Sequence, residues 1–269
     1  MAQSDDTTLD TPGTLEIGEG PARRRIAYRV RSGNEPTIVW LGGYRSDMRG
    51  TKAEHLLAFA AEHELGYCRL DYSGHGESGG RFEDGTIGSW TDDAAAVIRS
   101  LGAKRLVLVG SSMGAWIALR LVQRAAEFDT KIAGMLLLAP APDFTERLLS
   151  PKLSPEQHAE IAANGLLKVP SEYSDEPDIY TRELFEDGRR NLVMNELIDT
   201  GCPVTIIQGM ADPDVPYEHA LALVDHLPFH GTVLSLVRDG DHRLSRPQDL
   251  ALISRNLLDL VETIRGETG

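Results

Sequence analysis

The stretch Arg105-Leu106-Val107-Leu108-Val109-Gly110-Ser111-Ser112-Met113-Gly114-Ala115-Trp116 decides the fold. A short apolar run with the character of a buried strand enters Gly-x-Ser-x-Gly, and residues 113–126 then carry apolar residues at helical spacing. A serine hydroxyl is a poor nucleophile until a base takes its proton and N–H donors receive the oxyanion. A sharp strand-to-helix turn serves both needs. It lifts the Ser112 side chain out of the sheet and points the Met113 N–H at the developing charge. Gly110 and Gly114 are needed because side chains there would collide as the turn tightens. Ser111 is the neighbouring rival, but a motif counted from it needs glycine at 109, where Val109 stands. Ser112 is the candidate nucleophile.

Outward from this turn the chain alternates. Residues 23–30, 37–41, 66–70, 105–109, 134–139, 204–208 and 232–237 read as strands. Residues 52–64, 89–101, 113–126, 218–227 and 248–264 read as helices. Such alternation predicts an α/β fold, a mostly parallel central sheet with helices on both faces. Turn chemistry at 31–36 predicts that strands 23–30 and 37–41 are antiparallel neighbours, and the first dozen residues read as polar and loose. Between Pro142 and Gly201 the alternation stops. That stretch holds Pro142, Pro151, Pro155, Pro170 and Pro177, with amphipathic helical patterns near 155–163 and 180–198. Connections this long are uncommon in compact domains and are often lids. The expected division is a core of 1–142 and 200–269 with a cap of 143–199 at the sheet's C-terminal edge.

The base must be one of eight histidines. His55, His63, His158, His219 and His226 fall on helices, where a solvent-facing ring is expected. His75 sits in a glycine turn, and His230 lies at the wrong end of the last strand. His242 alone follows that strand in a loop that starts a helix, and active sites of open α/β sheets gather at the carboxyl ends of strands. A carboxylate must then fix the imidazole tautomer. Asp212 lies just past strand 204–208, and the order Ser112, Asp212, His242 suits this kind of site. Asp143, after strand 134–139, and Asp214 stay open as alternatives; Asp241, adjacent to His242, reads as a loop cap. Gly42-Gly43-Tyr44 after strand 37–41 offers the second oxyanion donor, the Tyr44 N–H, with Gly43 letting the backbone approach. The plainer alternative there is a glycine turn with a buried tyrosine.

Composition narrows the class. With 27 Lys+Arg against 41 Asp+Glu the net charge is −14, which repels phosphate backbones and anionic lipid and disfavours nucleic acid as a partner. The longest apolar runs, such as 134–141, fall far short of the ~18 residues of a membrane span. Cys68 and Cys202 read as small buried residues at strand starts, and neither makes a disulfide framework. Met1-Ala2-Gln3-Ser4-Asp5-Asp6 lacks the basic and apolar regions of a signal peptide, so a reducing, cytoplasmic location is expected. No zinc spacing, P-loop or Gly-x-Gly-x-x-Gly is present, so neither metal nor organic cofactor is expected.

These residues together resemble the α/β-hydrolase superfamily from about residue 20 to 265. Asp71-Tyr72-Ser73-Gly74-His75-Gly76-Glu77-Ser78 looks like that superfamily's structural turn beneath the oxyanion loop. A closer resemblance is to the mitochondrial palmitoyl-protein thioesterase and acyl-glucuronide esterase family, here without a transit peptide. It is carried by Trp40-Leu41-Gly42-Gly43-Tyr44-Arg45-Ser46-Asp47-Met48, Arg69-Leu70-Asp71-Tyr72, Gly209-Met210-Ala211-Asp212 and Asp241-His242-Arg243. The cap segment Leu167-Lys168-Val169-Pro170-Ser171-Glu172-Tyr173 is similar too. The resemblance implies an α/β-hydrolase fold with a small cap after the sixth strand.

The expected activity is a serine carboxylesterase or acyl thioesterase. Its substrate would be a small-molecule ester or acyl thioester, or an S-acylated protein. Leu148, Leu149, Leu153, Ile161, Leu166, Leu167, Val169, Leu184, Phe185, Leu192, Val193, Met194, Leu197 and Ile198 give the cap its apolar content. Lys152, Lys168, Arg182, Arg189 and Arg190 could receive an acidic leaving group such as a glucuronide. The same constellation also serves C–C bond hydrolases and cofactor-free haloperoxidases, and a hydrolase-like binding protein is the non-enzymatic alternative. Serine at 112 excludes an aspartate-nucleophile dehalogenase or epoxide hydrolase.

Overall fold

In the computed structural model, which describes residues 9–20, 23–171 and 177–266, the decisive stretch forms the middle of an eight-stranded sheet. The chain begins with β1 (Thr11–Ile17), β2 (Arg24–Arg31), β3 (Asn34–Leu41), α1 (Thr51–Glu62) and β4 (Leu65–Leu70). It continues with α2 (Ile87–Leu101), β5 (Arg105–Ser111), α3 (Met113–Gln123) and β6 (Lys131–Leu138). An insertion follows, built of α4 (Pro155–Asn164), β7 (Leu166–Val169), β8 (Asp178–Thr181) and α5 (Arg182–Arg190). The chain then returns to the sheet with β9 (Val204–Gly209), α6 (Tyr217–Val224), β10 (Thr232–Val237) and α7 (Pro247–Gly266).

The sheet order is β1-β2-β4-β3-β5-β6-β9-β10. Strands β4 to β10 of that order run parallel, while β1 and β2 form an antiparallel edge. The parallel strands are apolar on both faces because each face is covered by helices. Trp90 of α2, Trp116 of α3 and Leu223 of α6 pack on one side. Leu56 and Phe59 of α1 with Leu257 and Leu260 of α7 pack on the other. At β6 the fit is tight. A side chain at Gly134 would stand 2.8 Å from Ile264 of α7. Among the described residues no helix is long and apolar enough to cross a membrane.

Three expectations need correction, and one pair of strands was not anticipated. Strands β2 and β3 are not neighbours, because β4 lies between them. Strand β4 is buried throughout and needs a partner on each side, and the Ser32-Gly33 turn bridges its start. A side chain at Gly33 would meet the Leu65 backbone at 2.2 Å. Residues 11–17 are strand rather than loose chain, held by β2 from Thr11 opposite Val30 to Ile17 opposite Arg24. The pattern near 180–198 is helix only over Arg182–Arg190; Thr181 caps it, and Tyr180 belongs to β8. Strands β7 and β8, an antiparallel pair, went unread. Met1–Asp6 and the cap-motif residues Glu172 and Tyr173 lie outside the described residues.

Candidate active site

Ser112 stands between β5 and α3 with φ 54° and ψ −117°, a conformation an L-residue adopts only under constraint. The constraint is visible on both sides. A side chain at Gly110 would lie 2.5 Å from the Gly114 carbonyl oxygen, and one at Gly114 would lie 2.1 Å from the Leu41 carbonyl oxygen. Backbone bonds pin the turn: Ser112 N–H donates to the Leu138 carbonyl at 2.9 Å, and Ala141 N–H donates to the Ser112 carbonyl at 3.2 Å. Met113 opens α3, so its N–H belongs to the first helical turn, where the macrodipole favours negative charge. Gly114→Ala is expected to force the end of β3 off the turn. The expected cost is about 3 kcal/mol, read as a lower denaturant midpoint with loss of turnover.

The candidate acid and base come from the carboxyl ends of β9 and β10. Nδ1 of His242 pairs with Oδ2 of Asp212 at 2.8 Å. The other oxygen, Oδ1, accepts the Asp214 and Val215 N–H groups, both at 2.9 Å. Burial alone would raise the Asp212 pKa. The hydrogen bond and charge of His242, with the two backbone N–H groups, outweigh it and hold the carboxyl below its ordinary value. Asp214 shares this corner, and its oxygen, one of Asp212 and a nitrogen of His242 lie within 4.8 Å of one another. Both Asp212 oxygens already accept N–H donors, so in this geometry Asp212 and His242 are a hydrogen-bonded pair with Asp214 beside them.

The oxyanion loop follows β3. A side chain at Gly43 would stand 3.4 Å from the Ser111 carbonyl and from Cβ of Ser112, so the loop closes directly on the elbow. The Asp71 turn supports it from below. Oδ1 of Asp71 accepts the Met48 N–H at 2.7 Å, and Oδ2 accepts the Glu77 N–H at 2.7 Å. Tyr44 is anchored by its ring, which stacks on Tyr180 at 5.7 Å and meets Phe82 edge-on at 4.9 Å. Its hydroxyl donates to the Ile179 carbonyl of β8, tying the oxyanion loop to the insertion.

Ser112, Met113, Tyr44 and His242 line one cavity of about 980 Å³. Among the described residues no hydrogen bond joins the Ser112 hydroxyl to the His242 ring; contacts of this kind tighten around substrate. Phe144, Leu148, Leu149, Tyr180 and Val215 are among its apolar lining residues, and Trp40, Lys52 and Arg243 line it too. Lys52 donates to the Arg243 carbonyl, and burial with the Arg243 charge beside it lowers its pKa to about 8.

With that geometry in place, the comparisons are specific. The description "Alpha/beta hydrolase family" matches residues 38–251. This chain belongs to the alpha/beta hydrolase family. It is 29% identical over 252 residues to the mitochondrial palmitoyl-protein thioesterase ABHD10 of Homo sapiens, covering 93% of this chain and 81% of that one. Among solved structures, a putative hydrolase from Agrobacterium vitis S4 shares 53% identity at a TM-score of 0.92, covering 94% of this chain and 99% of the other. Alpha/beta hydrolase domain-containing protein 10 from mouse shares 26% at a TM-score of 0.83, again covering 94% and 99%. The resemblance read from the motifs is borne out.

In this hydrolase the rival acid after β6 is committed elsewhere. Asp143 is fully buried, and its two oxygens accept the Val193 and Met194 N–H groups at 2.8 and 2.9 Å. It clamps the chain where the insertion returns to the core. Asp241 accepts the Leu244 N–H at 2.9 Å, a loop cap as expected. His219 is buried, not solvent-facing, because its ring donates to the Pro142 carbonyl at 2.9 Å. Burial pushes the Cys68 and Cys202 thiols up to about 12, so neither supplies a thiolate. Of the fourteen apolar cap residues named from the sequence, Leu148 and Leu149 alone, among the described residues, line the cavity, beside Phe144 and Tyr180. Ile161, Leu167 and Phe185 close a small core of their own, Leu184, Val193, Met194 and Ile198 join the main core, and Leu197 is 77% exposed. Of the cap's cations only Lys152 reaches the cavity wall. Arg189 pairs with Glu146 and Arg190 with Glu183, while Arg182 donates to the Ala162 carbonyl.

Proposed function

We propose that this hydrolase cleaves carboxylic esters and acyl thioesters through an acyl-enzyme on Ser112. The observation that carries the reading is the 2.8 Å pairing of His242 with Asp212 in the cavity that the Ser112 elbow lines. Ser112 Oγ attacks the acyl carbonyl while His242 Nε2 takes its proton. The Met113 and Tyr44 N–H groups receive the oxyanion. The alkoxide or thiolate leaves with the proton from His242. Water then attacks the acyl-enzyme, giving its proton to His242 and its oxygen to the acyl carbon, and Ser112 is restored.

Residues 143–199 act as a cap over a core of 1–142 and 200–269. The Tyr44 bond to β8 and the small apolar core around Ile161 support this division, although Leu184 and Met194 fuse the cap to the main core. A reducing, cytoplasmic compartment suits two free cysteines. The apolar lining of the cavity includes Phe144, Leu148, Leu149, Tyr180 and Val215. Each CH₂ fully buried there favours binding by ~0.8 kcal/mol. Turnover is therefore expected on short-to-medium acyl esters, with thioester hydrolysis on S-acyl groups as in the thioesterase relatives. The test is kcat/KM for a C2-to-C16 ester series beside an S-acyl peptide and an acyl glucuronide. A profile falling steeply from C2 with no thioester turnover would leave a small-ester carboxylesterase and remove the deacylase reading.

A further inference from the structure

Gln208, the residue before Gly209 at the end of β9, is a completely buried polar residue on an otherwise largely apolar strand. Its Nε2 lies within hydrogen-bond distance of three acceptors, among which its two hydrogens are shared: the Gly209 carbonyl at 2.9 Å, the Val215 carbonyl at 3.0 Å and Oδ2 of Asp212 at 3.2 Å. Among the described residues its Oε1 has no partner. The orientation of the amide is therefore fixed. Turned over, it would set a carbonyl oxygen against three oxygens and lose every bond. Burying an amide with one end unpaired is unfavourable, and an apolar residue of the same size would fill a strand end more cheaply. What the amide gains there is the Asp212 carboxylate.

We propose that Gln208 is a positioning residue for the acid, an inference that rests on the triad reading above. The oxygen it reaches is the one that holds His242 Nδ1. With Asp214 and Val215 N–H on Oδ1, Asp212 then accepts four donors on its two oxygens, the full capacity of a carboxylate. Three of the four are fixed by the backbone or by His242 itself. Gln208 supplies the fourth and stops the carboxylate rotating away from the imidazole. Through the Val215 carbonyl it also braces the loop that carries the two N–H donors. It touches neither substrate nor Ser112, so it acts through Asp212 alone.

The experiment is a double-mutant cycle on ester turnover. Gln208→Met keeps the length of the side chain and removes the donor. It is expected to lower kcat about tenfold, the worth of one hydrogen bond, with KM within twofold of wild type. In an Asp212→Asn background the same change is expected to have almost no effect on kcat, because residues that act as a unit are not additive. Circular dichroism at the assay temperature checks that each variant is folded. An unchanged kcat, or the same fractional loss in both backgrounds, would overturn the proposal and leave a packing role. Fluorophosphonate labelling of Ser112 in the wild type separates the two levels, since its failure would remove the triad itself and not merely its brace.

Discussion

Ser112→Ala is expected to abolish measurable ester hydrolysis, a loss on the order of 10⁴–10⁶ in rate, while the fold stays intact. The expected loss is large because in the proposed reaction the hydroxyl is the atom that bonds the acyl carbon, and neither cysteine offers a thiolate in its place. The fold is spared because the bonds that hold the elbow are backbone bonds. Ser112 N–H to Leu138, Ala115 N–H to Ser112 and Ala141 N–H to Ser112 all survive removal of Oγ. Turnover of p-nitrophenyl esters, fluorophosphonate labelling and the thermal midpoint are the three readings. A variant keeping a tenth of wild-type activity would sink the assignment of the nucleophile.

Strain marks the same edge of the molecule. Among the described residues, six non-glycine positions have positive φ, and five of them follow strands at the carboxyl edge of the sheet. Arg45 follows β3, Ser112 follows β5, Ala139 and Asp143 follow β6, and Leu244 follows β10. Each loop leaves its strand by an abrupt turn rather than a relaxed one, and such turns persist where surrounding structure over-determines them. Here that structure is the close contact of Gly43 and Gly114 with neighbouring backbone.

The sheet was legible wherever a strand was apolar on both faces. Strands β3, β5, β6 and β9 read directly from runs such as Leu106–Val109. Strand β1 did not, because Pro12 and Gly13 look like loop residues. At the edge of a sheet proline costs little, and Gly13 is needed because a side chain would meet the Tyr28 ring at 2.6 Å. The β7–β8 pair has only four residues a strand and no tight-turn signature between them. Pairing order was beyond local pattern altogether: Arg31–Pro36 signals a reversal, but not that β4 enters the gap. In the site, Ser112 and His242 were singled out by motif and by elimination. Asp212 and Asp143 were not separable in that way, since both follow strands at the same edge. What separates them is partnership, one oxygen on an imidazole against two on backbone amides. Gln208 left no trace, for a glutamine ending an apolar run looks like a tolerated exception.

Asp212→Asn tests that separation. The carboxylate accepts four N–H donors, so an amide in its place must turn its own NH₂ group against two of them. If the NH₂ faces His242, the ring presents Nδ1 as an acceptor and carries its proton on Nε2, where it cannot take the proton of Ser112. Turnover is expected to fall ~10³–10⁴-fold. Asp143→Asn is expected to behave in the opposite sense. Its oxygens serve Val193 and Met194, so losing one of those bonds is expected to cost about 1–3 kcal/mol of stability with turnover near wild type. A crippled Asp143→Asn beside a nearly normal Asp212→Asn would move the acid to the loop after β6. Asp212 leaves a mark in acid as well. Asp212 titrates lower in the folded protein than in the unfolded chain, so its ionised form stabilises the fold at every pH above the unfolded value of about 3.9. That contribution is lost as pH falls through the lower, folded value. Asparagine at 212 has no such proton to take up, so the stability of the variant is expected to decline less steeply than wild type below about pH 4.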